Sequence, residues 1–446
     1  MASAAEQMAS SMNLGAFAKA TDLKKRIWFT LGALLIFRLG TYIPVPGVDG
    51  TVMAHLMTQN GGGVLGMFNM FTGGALGRMT IFALNIMPYI SASIIIQLMT
   101  SAIPALEALK KEGDSGRQKI TQYTRYLTVL IAAVQAYGIS IGLQAMKSQL
   151  GPAVIDPGIF FTFTCVVTLV GGTVFLMWLG EQITSRGIGN GASLIIFSGI
   201  VANLPIALSN ILELGSTGAL STFFIIAFFI GFFAIITFVV FMERAQRRIL
   251  VQYPKRQVGQ RMFGGDATHI PLKLNTSGVI PPIFASSLLL APASIVMLSK
   301  GSGPGWLQVV AHQLSHGQPG YMLLFAFLIV FFAYFYTAVV FNPEETADNL
   351  KKYGGFVPGI RPGANTAAYF DRILTRLTTI GAGYLVIVCL LPEFVLSNYS
   401  LPFYFGGTSL LIIVSVTMDT VSQIQSHLLA HQYEGLIRKN RGKSRK

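Results

Sequence analysis

The run Phe223–Met242, FFIIAFFIGFFAIITFVVFM, carries no charge and a single hydroxyl, Thr237. Twenty helical residues at about 1.5 Å each cover about 30 Å, the thickness of the hydrocarbon core of a bilayer. Its side chains are apolar on every face, so it reads as a membrane span and not as an amphipathic surface helix. Nine more such runs lie around it: Ile27–Ile43, Met79–Ile103, Tyr126–Met146, Ile159–Leu179, Gly191–Ile211, Gly278–Leu298, Tyr321–Phe341, Ile373–Leu391 and Tyr404–Ala430. The composition agrees. Of 446 residues, 52% are hydrophobic and 11% charged, against about 25% charged in soluble proteins. A soluble multidomain enzyme is excluded, and the fold class is an all-α polytopic membrane protein.

An even number of spans puts both termini on one side. Of the 32 Lys and Arg residues, Arg78, Lys147 and Lys300 alone fall on the opposite side, with Arg38 inside the first span. The positive-inside rule then assigns both tails to the cytoplasm. The first run lacks a small-residue cleavage site and is expected to stay as a span, not to be removed as a signal peptide. Two cytoplasmic loops, Glu243–Thr276 and Asn342–Arg372, are long and basic. On the outer side, Val48–Arg78 contains an apolar, glycine-rich stretch too short to cross. It is expected to form a re-entrant half-helix buried in protein.

Ten spans divide into two five-helix halves, Gly/Pro-interrupted at the second span of each: Ile86-Met87-Pro88-Tyr89-Ile90 after the glycine-rich stretch, and Asn275–Ile283. An odd number per half inverts the second, and matched interruptions in inverted halves point to a transport path between them. Proline kinks that only fit helices to their neighbours would give the same pattern. The expected organisation is a cytoplasmic tail over 1–26, halves over 27–215 and 216–430, and a basic tail over 431–446. Two charges stand out within the runs, Arg38 and Asp419. Each lies within reach of a helix end, so snorkelling or local pairing is open to it.

No enzyme constellation is present: neither G-x-x-x-x-G-K-[ST] nor H-E-x-x-H occurs. Cys165 and Cys389 both sit in apolar runs, and His269, His312 and His316 are isolated in loops, so no disulfide framework or metal site is readable. The turn Arg186–Gly191 (RGIGNG) suits either a phosphate-binding nest or a tight turn opening a helix. No cofactor is implied.

Several ordered blocks carry a resemblance: MFNMF and GGAL (Met67–Leu76), IMPYISASIIIQL (Ile86–Leu98), WLGEQIT (Trp178–Thr184) with RGIGNG, FNPEETADNL (Phe341–Leu350), FVPGIRPG (Phe356–Gly363) and PFYFGGTSLLI (Pro402–Ile412). In these the chain resembles the SecY family, channel subunits of the bacterial protein-export translocase. The resemblance implies an hourglass pore between the halves, lined at its waist by Ile86, Ile90, Ala192, Ile196, Ile283 and Ile412. Ala192 is smaller than the family's usual residue there, and Asn85 stands where Gly is usual. It also implies a plug over 64–77, with Val64, Leu65, Met67, Phe68, Asn69, Met70, Phe71, Gly73, Gly74 and Leu76. A lateral gate would open between the spans bearing Ile86–Gln97 and Asn275–Leu290, latched by Gln97, Asn190 and Asn275.

Two basic clusters, Lys255, Arg256, Arg261 and Lys273, and Lys351, Lys352 and Arg361, could serve topology and contact anionic lipid. By the resemblance they dock the ribosome and the motor SecA, which would hydrolyse the ATP. Gln260 stands where a basic residue is frequent. Further implied partners are SecE, SecG, SecDF, YidC, signal sequences, nascent polypeptides and membrane lipids, at the bacterial plasma (inner) membrane. The competing reading is an ion-coupled secondary transporter of a small solute. It would need carboxylates or a His near the midplane, which most of the spans lack.

Overall fold

The computed structural model describes residues 21–60, 69, 72–145, 147–148, 151–217, 221–253, 256–258, 261–263, 267–298, 318–399 and 406–443. Ten helices fall on the ten apolar runs. In the first half they are α1 (Thr21–Gly40), α3 (Met87–Ala102), α5 (Asp114–Ala145), α6 (Ile159–Arg186) and α7 (Gly191–Ser216); α2 (Gly50–Asn60) and α4 (Pro104–Lys111) are short. In the second half they are α8 (Thr222–Arg244), α9 (Ile280–Leu298), α10 (Pro319–Val340), α12 (Ala364–Tyr399) and α13 (Gly407–Lys443), with α11 (Pro343–Lys352) outside the runs. Among the described residues seven helices are long and apolar enough to cross a membrane, and the bent pair α3–α4 makes an eighth. This is an all-α polytopic membrane protein.

Helix boundaries follow local chemistry. Ile103 is extended, and Pro104 at the next position cannot continue α3, so the chain turns by 99° into α4. The helix α12 begins at Ala364, nine residues before the ninth run. Arg376, inside that run by sequence, is therefore on an exposed early turn of a long helix. Where α6 meets α7, a side chain on Gly191 would strike the Gly180 carbonyl. Small residues let two membrane helices approach to backbone contact, which gives the glycines of the WLGE and GNG blocks a packing reason.

Between the halves there are two seams. On one, α9 packs against α3 and α5; on the other, α13 packs against α1 and α7, and α8 against α7. A single apolar cluster fills the centre, with contributions from all of these membrane helices except α5.

The two long basic loops are not irregular. Strands β3 (Gln246–Gln252) and β6 (Ala267–Lys273) form an antiparallel ribbon, with Gln246 opposite Lys273 and Gln252 opposite Ala267; β1 (Lys147–Ser148) and β2 (Gly151–Pro152) make a separate small hairpin. A second hairpin, β4 (Arg256–Val258) with β5 (Arg261–Phe263), caps the ribbon. Ile249, Val251 and Leu272 of the ribbon share one buried cluster with Leu350, Val357, Phe370 and Leu374, and Gln252 bridges to Phe356. Both basic loops thus stand on a common hydrophobic base.

Candidate functional site: waist, seal and gate

The six positions expected at the waist come from four helices of both halves: Ile86 and Ile90 from α3 and its cap, Ala192 and Ile196 from α7, Ile283 from α9 and Ile412 from α13. They meet in the central apolar cluster. Ile86, Ile90, Ile196 and Ile412 are buried there, and Ala192 and Ile283 are half-buried against it. Aliphatic side chains of this kind offer no hydrogen bonds to hold a solute.

Just before Ile86, Asn85 is fully buried and has φ +51°. That left-handed conformation is cheap only for Gly, with Asn among the next best. The departure from the family's Gly is therefore a conservative one in backbone terms. Pro88 then enters the first turn of α3, where its missing N–H costs nothing.

Of the expected plug, Val64, Leu65, Met67, Phe68, Met70 and Phe71 lie outside the described residues. Asn69 is helical, and residues 72–79 that follow are a run of turns. Gly73 and Gly74 have φ +67° and +85°, which interrupts any helix. Side chains satisfy the backbone instead: Asn69 Oδ1 accepts from Gly77 N (2.6 Å), and Thr72 Oγ1 accepts from Leu76 N (3.2 Å). Leu76 is buried. Gly73 lies against the backbone of Gly199 in α7, where a Cβ would come within 3.0 Å of its Cα. From the other side, Arg38 Nη1 donates to the Gly73 carbonyl at 2.9 Å. Arg38 and Arg78 both stack near Tyr42, at 5.3 and 4.2 Å from the ring centre. Arg38 is thus committed to holding this segment, a role its sequence position alone did not reveal.

Helices α3 and α9 are in direct contact, but Gln97, Asn190 and Asn275 have separate partners. Gln97 donates to Ser93 Oγ (3.4 Å). Asn190 caps α7, accepting from Ala192 N and Ser193 N. Asn275 donates to Glu243 Oε1 (2.7 Å) and to the Gly278 carbonyl (3.1 Å). Most amides of the turn before α7 are occupied as well. Ile188 N donates to Thr30 Oγ1, Gly189 N to Gln423 Oε1 and Gly191 N to Thr184 Oγ1. Its amides serve the fold, so the tight-turn reading holds over the phosphate nest.

In the basic clusters, Lys351 and Lys352 end α11, whose first turn carries Glu344 and Glu345. Asn342 caps that helix by accepting from both Glu344 N and Glu345 N, and Pro343 follows at the first position. The charges are ordered to suit the helix dipole. Arg361 is exposed in a turn between Gly359 (φ +82°) and Gly363 (φ +105°). Lys255 lies outside the described residues; Arg256 and Arg261 sit on β4 and β5 at the ribbon's end, and Lys273 ends β6. Sequence reading missed one ion pair: Arg125 of α5 meets Glu181 of α6 in a two-pronged contact of 2.9 and 2.7 Å. Among the described residues no cluster of ligating side chains could hold a metal.

Similarity to known proteins runs along the whole arrangement. The protein translocase subunits SecY of Rickettsia conorii and Escherichia coli are 56% and 55% identical to this chain over 94% of it, and over 96% and 94% of their own lengths. Among solved structures, a protein-conducting channel has the same fold at TM-score 0.68 and 17% identity, covering 92% of this chain and 93% of its own. A Sec61 channel from a canine ribosome–channel complex matches at 0.64 and 17%, with the same coverage. The SecY family model matches residues 80–421, and with these relatives it establishes that the chain belongs to the SecY family.

Proposed function

We infer that the chain is a protein-conducting channel, which passes unfolded secretory polypeptides across the bacterial plasma membrane and releases transmembrane segments sideways into it. The observation that supports this reading is that Ile86, Ile90, Ala192, Ile196, Ile283 and Ile412, from helices of both halves, all belong to or pack against one apolar cluster. A backbone amide pressed against hydrocarbon loses several kcal/mol of hydration. A waist about one residue thick confines that loss, and aliphatic side chains let varied sequences slide past. A narrow dewetted ring also resists ions.

The halves over 27–215 and 216–430 form the two walls. The segment over 64–77 is the plug, and α3 and α9 form the gate, with Gln97, Asn190 and Asn275 on its polar lining. The basic clusters, with Arg361 foremost, dock the ribosome and SecA. SecE and SecG complete the channel, SecDF and YidC associate with it, and both tails face the cytoplasm. The basic, exposed loops on a rigid base support that orientation and docking role. The channel has no catalysis of its own; ATP hydrolysis belongs to the motor. An ion-coupled solute transporter finds no support in the family or the fold.

The test is photocrosslinking of a stalled secretory polypeptide in reconstituted membranes, with probes at Ile86, Ile283 and Ile412. Translocation-dependent crosslinks at all three are expected. Crosslinks confined to exposed loop probes while export proceeds would put the path elsewhere.

A further inference from the structure

The antiparallel ribbon determines what meets at its root. With Gln246 opposite Lys273, the next residues inward are also paired, Leu274 N donating to the Ala245 carbonyl at 2.9 Å. One step further, the end of α8 and the approach to α9 lie side by side, and there Asn275 donates to Glu243 Oε1 at 2.7 Å. The remaining capacity of Asn275 is also spent locally: Ser277 Oγ donates to its Oδ1 (3.1 Å), and its own amide reaches the Gly278 carbonyl (3.1 Å). Asn275 and Ser277 are both buried. Helix α12 closes the other side through Gly381, where a Cβ would come within 3.0 Å of the Leu274 carbonyl. The start of the gate helix is therefore pinned between α8 and α12, both in its own half.

We propose that Glu243 is a positioning residue of the lateral gate: through Asn275 its carboxylate fixes the base of α9, and the gate opens by movement about that fixed point. Asn275 then acts as the peg of a hinge and not as half of a bond across the gate. The tie is a short amide-to-carboxyl hydrogen bond, 2.7 Å, made by a buried amide. Its loss frees the approach to α9, where Gly278 at φ +63° already departs from helix, and lowers the cost of parting α9 from α3. This proposal rests on the assignment of α3 and α9 as the gate.

The experiment compares Glu243→Ala, Asn275→Ala, their double variant and Glu243→Gln in channel complexes reconstituted into proteoliposomes. Two precursors are exported, one with an intact signal sequence and one with a less hydrophobic signal. Both alanine variants should raise weak-signal export relative to intact-signal export by about three- to tenfold, the scale set by one interhelical hydrogen bond in a membrane. The double variant should add nothing further. Glu243→Gln, which keeps an acceptor for Asn275, should stay within about twofold of the parent. Amide exchange over 275–283 should quicken in the alanine variants alone.

An unchanged ratio and unchanged exchange in Glu243→Ala would overturn the proposal, as would an Asn275→Ala effect that Glu243→Ala does not share. Glu243→Gln behaving like Glu243→Ala would show that charge, not the bond, matters, and would overturn it too. If exchange quickens while the ratio stays fixed, α9 is anchored as described but is not the gate, and the gate assignment fails.

Discussion

Arg38 of α1 donates to the carbonyl of Gly73 at 2.9 Å, while Gly73 rests against the backbone of Gly199 in α7. A charge at membrane depth is costly and rarely left without a task. Here the guanidinium ties the end of the proposed plug segment to the first helix. Arg38→Met keeps the aliphatic stem but removes the donor. A bond worth about 1 kcal/mol in this setting shifts the displaced population roughly fivefold. Idle channels in planar bilayers should conduct small ions correspondingly more often, with the rate of polypeptide export little changed. Unchanged idle conductance would remove Arg38 from the seal.

Asn85 at φ +51° makes a second outcome specific. Asn85→Gly should leave thermal stability unchanged or raise it slightly. Asn85→Val places a β-branched residue in the left-handed region and should cost about 1–2 kcal/mol, seen as a lower Tm of the purified complex. If Val is tolerated as well as Gly, the backbone account of this position is wrong.

Docking should separate into charge and scaffold. Arg361 is exposed, so Arg361→Glu should weaken ribosome and motor binding by at least about tenfold, with Tm unchanged. Asn342 acts through the helix it caps. Asn342→Ala should cost about 1 kcal/mol locally and weaken binding only modestly, by loosening Lys351 and Lys352. Co-sedimentation with ribosomes and with SecA at two salt concentrations reads both effects. Equal losses from the two variants would mean that α11, not the Arg361 turn, makes the contact.

The paired Arg125 and Glu181 carry a more modest expectation. The pair is two-pronged, but the side chains are 47% and 25% exposed. Solvent screening limits such a pair to about 1 kcal/mol. A double-mutant cycle with Arg125→Leu and Glu181→Gln should return a coupling no larger than that, with gating unaffected. A coupling of several kcal/mol would reveal a drier site than the exposure implies.

What the sequence made legible follows from which signal is local. Spans such as Phe223–Met242 declare themselves because every residue repeats the same preference. The waist was reachable only through motif resemblance, since one buried isoleucine reads like another. The ribbon was missed although QRRILVQ (Gln246–Gln252) alternates, with Ile249 and Val251 buried and their neighbours exposed. Seven residues of period two inside a basic loop are easily read as loop. Gly73 as partner of Arg38, Glu243 of Asn275 and Glu181 of Arg125 lie at least 32 residues away in sequence, and pairings at that range leave no local pattern.

Ala192 provides the most direct check on the waist itself. It is half-buried against the central cluster and is smaller than the five isoleucines that share the ring. Ala192→Ile adds three carbons to a constriction in which Ile86, Ile196 and Ile412 are already buried. If the six positions form the pore's narrowest ring, the change should reduce ion leak through channels lacking residues 64–77, because a narrower apolar ring dewets more readily. Export of an ordinary precursor should slow modestly, and export of one carrying a bulky internal loop should slow markedly. The opposite variant, Ile412→Ala, should raise leak. If Ala192→Ile instead lowers Tm by several degrees and leaves leak and export alone, Ala192 is a packing residue, and the waist must be drawn without it.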